Sequence, residues 1–164
     1  MEIRRFDSPN EMLLTCKAWL EADAAIHNLI LGSLYKLCAL EDELKPFEAM
    51  MFVVSDQNEV KLAFLKIVGR ELMMSPARVE LGNAMEVAAT FIAQEYPEIK
   101  GIVGPEPMNE AFARAVGKPF RLGFSQRILM TKSVAFPKAS VGSFRQAAAN
   151  EAGLLAEWFQ AFFL

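Results

Sequence analysis

The sequence predicts a mixed α/β fold built on an antiparallel meander and one parallel crossover. Three observations predict it. Apolar residues recur every three to four positions over residues 9–22 and 24–40. Three apolar runs, at 50–55, 60–68 and 72–75, follow one another across short polar turns. A further helical stretch then separates these runs from a short apolar one at 102–104, and such a β-α-β step takes a parallel, right-handed connection.

Taken in order, residues 2–6 read as a first strand. Ser8-Pro9-Asn10-Glu11 forms a capping box, with proline at the first helical position and glutamate three residues after the cap. The helix that follows carries Met12, Leu13, Cys16, Trp19 and Leu20 on one face. A second helix over 24–40 carries Ile26, Leu29, Ile30, Leu34 and Leu37 inward, and Pro46 closes the connection. Asp56-Gln57-Asn58 is a turn by composition, and Gly69-Arg70 separates the next pair of strands. Gly82 opens a third helix that runs to about Tyr96, with Met85, Ala88, Phe91 and Ile92 inward and Pro97 ending it. Ile102-Val103-Gly104 is a short buried strand. Residues 105–107 lead into a fourth helix that packs through Met108, Phe112, Ala115 and Val116. Residues 121–132 read as a last, long strand, with Phe124, Ile128 and Met130 on one side. The expected order is β-α-α-β-β-β-α-β-α-β.

Composition narrows the function classes. Of 164 residues, 53% are hydrophobic and 23% charged, which is the balance of a globular chain and not of a disordered one. Thirteen Phe and nine Met supply a large, adaptable apolar interior. A net charge of −3 argues against nucleic acid as a partner, since phosphate needs a basic face. Cys16 and Cys38 fall inside helical patterns without metal-ligand spacing, so no metal is expected and a reducing, cytoplasmic setting is. Residues 24–40 are too short and too polar to span a membrane, and residues 1–5 are followed by no apolar run of signal length.

The tail reads as a second beginning. Residues 136–142 form a linker after a first domain at 1–135, and 143–164 resemble the chain's own start. Ile3-Arg4-Arg5 returns as Phe144-Arg145-Gln146, Asn10-Glu11 as Asn150-Glu151, Leu13-Leu14 as Leu154-Leu155, and Trp19-Leu20 as Trp158-Phe159. A repeat at one domain's length reads as a tandem duplication, here the first strand and helix of an incomplete second domain. The rings of Trp158, Phe159, Phe162 and Phe163 need cover. The expected partner of the 154–164 helix is the first domain, another copy of the chain or a further C-terminal domain.

The element order, with Ala25-Ile26-His27-Asn28-Leu29-Ile30-Leu31-Gly32, Gly101-Ile102-Val103-Gly104-Pro105 and Phe120-Arg121-Leu122-Gly123-Phe124-Ser125-Gln126-Arg127, resembles the GNAT N-acetyltransferase superfamily. More narrowly it is similar to the N-terminal half of bacterial two-domain members. The resemblance implies acetyl-CoA as cofactor. Its holders would be the backbone amides of Met73 and Met74 and a helix opening at Gly82, Asn83 and Ala84, where N–H groups face a pyrophosphate. The family's loop pattern, Q/R-x-x-G-x-G/A, falls on residues 79–84. Gly82 and Ala84 fit it. Val79 stands where Gln or Arg is expected, and Glu80 adds a negative charge beside a dianionic group. Val116 stands where active members place a tyrosine acid. Glu71 and Glu80 are the candidates for a base toward an amine.

Three readings follow. The first is a non-catalytic half that packs against a catalytic half and shapes its acceptor site. The second is an active acetyl-CoA-dependent acyltransferase acting on a small amine, with the thioester polarised by backbone N–H groups. The third is a dimeric ligand-binding or interaction domain. The single histidine, His27, reads as a structural residue beside Asn28, and Tyr35 and Tyr96 read as packing residues with satisfied hydroxyls. Gly101 and Gly104 bracket the short strand. In the family this region borders the place where the sheet opens for the cofactor arm.

Overall fold

The computed structural model describes residues 1–41, 49–76, 80–135, 142–143 and 145–162. Val79, Pro46, the linker residues 136–140, Phe144, Phe163 and Leu164 lie outside the described residues. Among the described residues five strands and five α-helices follow in the order β1 (Glu2–Phe6), α1 (Pro9–Ala22), α2 (Ala24–Ala39), β2 (Ala49–Asp56), β3 (Glu59–Ile67), β4 (Leu72–Pro76), α3 (Ala84–Glu95), β5 (Ile102–Val103), α4 (Met108–Val116) and α5 (Ala152–Phe162). The chain divides into two compact units, Met1–Met130 and Thr131–Leu164.

The first unit is a mixed five-stranded sheet in the order β1-β2-β3-β4-β5. The first three pairings are antiparallel, and β4 with β5 is parallel. The β2–β3 connection is a two-residue turn. Gln57 and Asn58 sit at φ of 48° and 66°, left-handed backbone that matches the twist of the flanking strands. Ser8 caps α1 by accepting the Glu11 amide at 3.2 Å, as the capping box requires. Its hydroxyl also donates to Glu41 at the end of α2, and the Asn10 amide does the same.

The period of two along the strands divides the core into two layers. Met51, Val53, Ala63, Leu65 and Met73 face α1 and α2, where Met12, Cys16, Leu20, Ile30 and Leu34 meet them. Phe52, Val54, Leu62, Phe64, Leu72 and Met74 face α3 and α4, where Ala88, Ile92 and Phe112 meet them. The second layer is aromatic. Phe52 and Phe64 are cross-strand partners with rings stacked at 4.6 Å, Phe91 meets Phe52 edge-on at 4.9 Å, and Phe112 meets Phe64 at 5.2 Å.

Three expectations are corrected. On α4, Phe112 is buried with Met108 and Val116 partly buried beside it, while Ala115 is exposed. The buried stripe of α2 is His27, Ile30, Leu34 and Leu37, while Leu29 is exposed. The His27 ring lies against Trp19 at 4.4 Å, tilted by 32°, and His27 takes a buried place on the stripe. The strand expected over residues 121–132 does not form: those residues pair with no strand, and Leu122, Phe124, Ile128 and Met130 stay exposed. Alternation gives a strand its apolar face, but its hydrogen bonds come from a neighbour that the pattern does not name.

In the second unit, α5 is preceded by a short 3-10 turn, Ala149–Glu151. Residues 145–148 carry no strand. Arg145 grips Glu151 through both guanidinium nitrogens at 2.7 and 2.6 Å, and the Ala148 amide donates to the same carboxylate at 2.7 Å. No residue of α5 is buried.

Candidate functional site

In open α/β sheets ligands are held at the carboxyl ends of the strands. Here that end carries the last residues of β4, the exit from β5 and the opening of α3. The β4–β5 ladder is short. Leu72 pairs with Ile102 and Met73 with Val103, and the Leu72 amide donates to the Gly101 carbonyl at 3.0 Å. Successive residues of a strand turn their N–H and C=O groups to opposite sides. Leu72 therefore turns toward β5, Met73 toward β3, and Met74 toward β5 again. The amide that would continue the ladder onto the Met74 carbonyl belongs to residue 105. That residue is Pro105, which has no N–H. Gly104 passes so close that a Cβ there would lie 2.9 Å from the Met74 carbonyl oxygen. The parallel pairing thus ends in a backbone carbonyl with a glycine beside it. Of the two methionines singled out in the sequence, Met74 is the one whose backbone faces this gap. Met73 is turned away, its sulfur accepting from Ser33 at 3.6 Å on the other layer.

Gly82, Asn83 and Ala84 lie at the same end. Gly82 has φ of 54°, left-handed backbone that favours glycine in the turn into α3, and a Cβ there would meet only the movable Met1 methyl, at 3.2 Å. Asn83 is the N-cap and makes no side-chain cap bond. The Ala84 amide is taken by the Leu81 carbonyl at 3.0 Å. The amides left for an anion are those of the first helical turn after it. Glu80 and Glu86 are both exposed around this opening, and each opposes a phosphate there.

The other candidates stand elsewhere. His27 is buried between α1 and α2. Tyr35 donates to Glu21 at 2.7 Å on the surface, and that bond raises its pKa. Tyr96 follows α3 and accepts from Arg5 at 2.6 Å. The 12 residues of α3 set it roughly 18 Å from Gly82. Glu71 lies at the amino end of the sheet, packed against Gly101. Val116 ends α4 and lines a cleft of about 290 Å³ at that amino end, together with Leu72, Ile92, Ile99, Phe112 and Phe120. Cys16 is buried, which pushes its thiol up to about 11, and Cys38 is half-buried; both are free. Among the described residues no group of three His, Cys, Asp or Glu could hold a metal, and no helix is long and apolar enough to cross a membrane.

Two contributors escaped the sequence reading. Pro105 was visible as a helix-introducing residue, and its role in ending the ladder depends on register. Asn109 donates through Nδ2 to the Ile102 carbonyl at 3.3 Å. Its Oδ1 is buried with no hydrogen-bond partner among the described residues. A lone asparagine at the start of a helix gave no signal of this. No family model, no curated protein and no solved structure matches the chain.

Proposed function

We propose that residues 1–130 are a GNAT-like scaffold without its catalytic groups, the half of an acetyltransferase that packs beside a catalytic half and shapes the acceptor site. The observation that carries this reading is the interrupted β4–β5 ladder at the carboxyl end of the sheet, with no tyrosine, histidine or cysteine beside it among the described residues. The Met74 carbonyl and the Gly104 backbone suit an extended, amide-bearing arm of the pantetheine type, which could take the place of a missing strand. A phenol, imidazole or thiol is the usual acid for a leaving thiolate, and the carboxylate at that end, Glu80, is exposed beside the expected phosphate position. The chain has two tyrosines and one histidine, and Tyr35, Tyr96 and His27 stand away from it. Both cysteines sit in α1 and α2. The position after α4 where an acid would be expected is Val116. The apolar, exposed surface of α5 is the contact such a partner domain would use.

The test is a thiol-release assay with acetyl-CoA and a panel of polyamines and aminoglycosides. The expected result is release at the uncatalysed rate with every amine. Amine-dependent release by this chain would overturn the reading.

A second reading, an active acyltransferase, is favoured by the Met74 carbonyl alone, since acetyl transfer depends strongly on positioning. A calorimetric titration with acetyl-CoA, with coenzyme A as control, separates the two. Saturable one-site binding at micromolar affinity that Gly82→Trp abolishes would favour the active enzyme. Its absence at millimolar cofactor, expected from Glu80 and Glu86 beside the phosphate position, would leave the scaffold reading standing.

A further inference from the structure

The cleft at the amino end of the sheet has no part in the reading above. Its walls are apolar: Leu72 and Ile102 from the sheet, Ile92 from α3, Phe112 and Val116 from α4, and Phe120 just after it. Two exposed ammonium groups, those of Lys100 and Lys118, line it as well, and no carboxylate does. Among the described residues neither lysine is in an ion pair. The Lys118 ammonium donates to the Pro97 carbonyl, which ties it to the loop after α3. The acids of this end are paired or set back. Glu95 lies 3.5 Å from Arg5, and Glu110 lies 3.6 Å from Arg114. Glu71 packs on Gly101 and Glu98 is exposed, and neither lines the cleft.

We propose that this cleft binds a medium-chain aliphatic carboxylate, with its chain on the apolar walls and its head group on Lys100 and Lys118. The cleft's 290 Å³ is about twice the ~150 Å³ apolar cavity that takes up benzene, which suits an acid of about eight to ten carbons. The rival occupant is the chain's own exposed segment, and charge weighs against it. Residues 121–130 carry Arg121 and Arg127, and the sequence has no Asp or Glu between Glu110 and Glu151. That segment would bring two more cations to the two already there, and a second copy would bring the same two. Glu151 is held by Arg145. A fatty carboxylate supplies the apolar area and the missing negative charge together. Exposed ion pairs are weak, so the chain sets most of the affinity and the lysines choose the head group. The site lies at the end of the sheet away from Gly82 and Met74, so it stands or falls apart from any binding of acetyl-CoA.

Calorimetry and amide NMR on the full chain, with octanoate as the probe, test this. Saturable one-site binding is expected, with Kd on the order of 0.1–1 mM. From hexanoate through octanoate to decanoate, each added methylene should tighten Kd about fourfold. Octanol should bind several-fold more weakly, and octylammonium more weakly still. Amide shifts should fall on residues 99–102 and 112–120. Changing Lys100 and Lys118 together to Met should bring octanoate down to the level of octanol and leave octanol unchanged. Ala113→Phe, on the half-buried α4 wall of the cleft, should weaken both. Far-UV circular dichroism checks that the variants are folded, and the comparison of head groups needs no variant. Absence of binding at several millimolar octanoate would overturn the proposal. So would equal affinity for the three head groups, octanoate binding indifferent to the lysine changes, or shifts confined to the exposed apolar residues of α5.

Discussion

Phe64 and Phe124 are the same side chain in two settings. Phe64 is wholly buried, stacked on Phe52 and touched by Phe112. Phe124 is 70% exposed. Both belong to sequences that alternate like strands. The difference is the neighbour: β3 has strands on both sides and helices over both faces, while residues 121–130 have none of these. Apolar patterning states what a segment would bury. Only pairing decides whether it does.

The largest effect expected from this contrast is on the aromatic layer. Phe64→Ala should cost about 3–5 kcal/mol, read as a fall in the urea midpoint with an unchanged slope. Two rings, Phe52 and Phe112, converge on this position, and the sheet behind it cannot collapse into the hole. A loss under about 1 kcal/mol would mean that the two layers are not packed as described.

A pair of glycines sharpens the comparison at smaller scale. Gly104→Ala would drive a methyl to 2.9 Å from the Met74 carbonyl oxygen, a backbone atom that cannot swing aside. The expected cost is about 1–3 kcal/mol. Gly123→Ala meets nothing within 4 Å and should fall within about ±0.5 kcal/mol. Thermal melts of the two variants check this. Equal effects would remove the distinction between the packed region and the exposed one.

Much of the first unit was legible because its signals are local. The Ser8 cap, the Gln57-Asn58 turn, the meander and the parallel step each follow from a few adjacent residues. The helix-to-helix stripe on α2 was misjudged at Leu29 because imidazole reads as polar, while His27 buries its ring against Trp19. The strand at 121–132 was misjudged because hydrogen-bond partners are non-local. The same limit applies to the candidate site. Gly82 and Gly104 stand out by type. The pairing that ends at Met74 emerges only when the register sets Pro105 against its carbonyl. Asn109 is visible only once its amide is seen on Ile102.

Thiol chemistry separates two positions of one layer more gently. The folded pKa of Cys16 lies near 11 against 9.0 for the free thiol, because burial disfavours the thiolate. Its contribution to stability is complete below pH 9 and is lost as the pH rises through about 11. A disulfide reagent at neutral pH should modify half-buried Cys38 first and reach Cys16 only on unfolding. Equal rates would argue that α1 does not pack Cys16 against α2 and the sheet.

The smallest effect is expected in α5, and it tests what replaces packing where packing is missing. With no buried residue, α5 begins on a polar clasp: Arg145 on Glu151, and Glu151 on the Ala148 amide. The guanidinium first and the amide second hold the Glu151 carboxyl at about 2, below its ordinary 4.5. A depressed carboxylate supports the folded form above its unfolded pKa and loses that support as pH falls through the folded value. The clasp should therefore be complete above pH 4.5 and fade toward pH 2. Because its atoms are exposed, salt should weaken it as well. The readout is helical ellipticity at acid pH for the wild-type chain against Arg145→Ala. The variant should have lost its share already at neutral pH and show a shallower decline. If the two curves run parallel, the clasp does not hold α5, and the helix would owe its order to burial of Leu154, Leu155 and Trp158 against a partner.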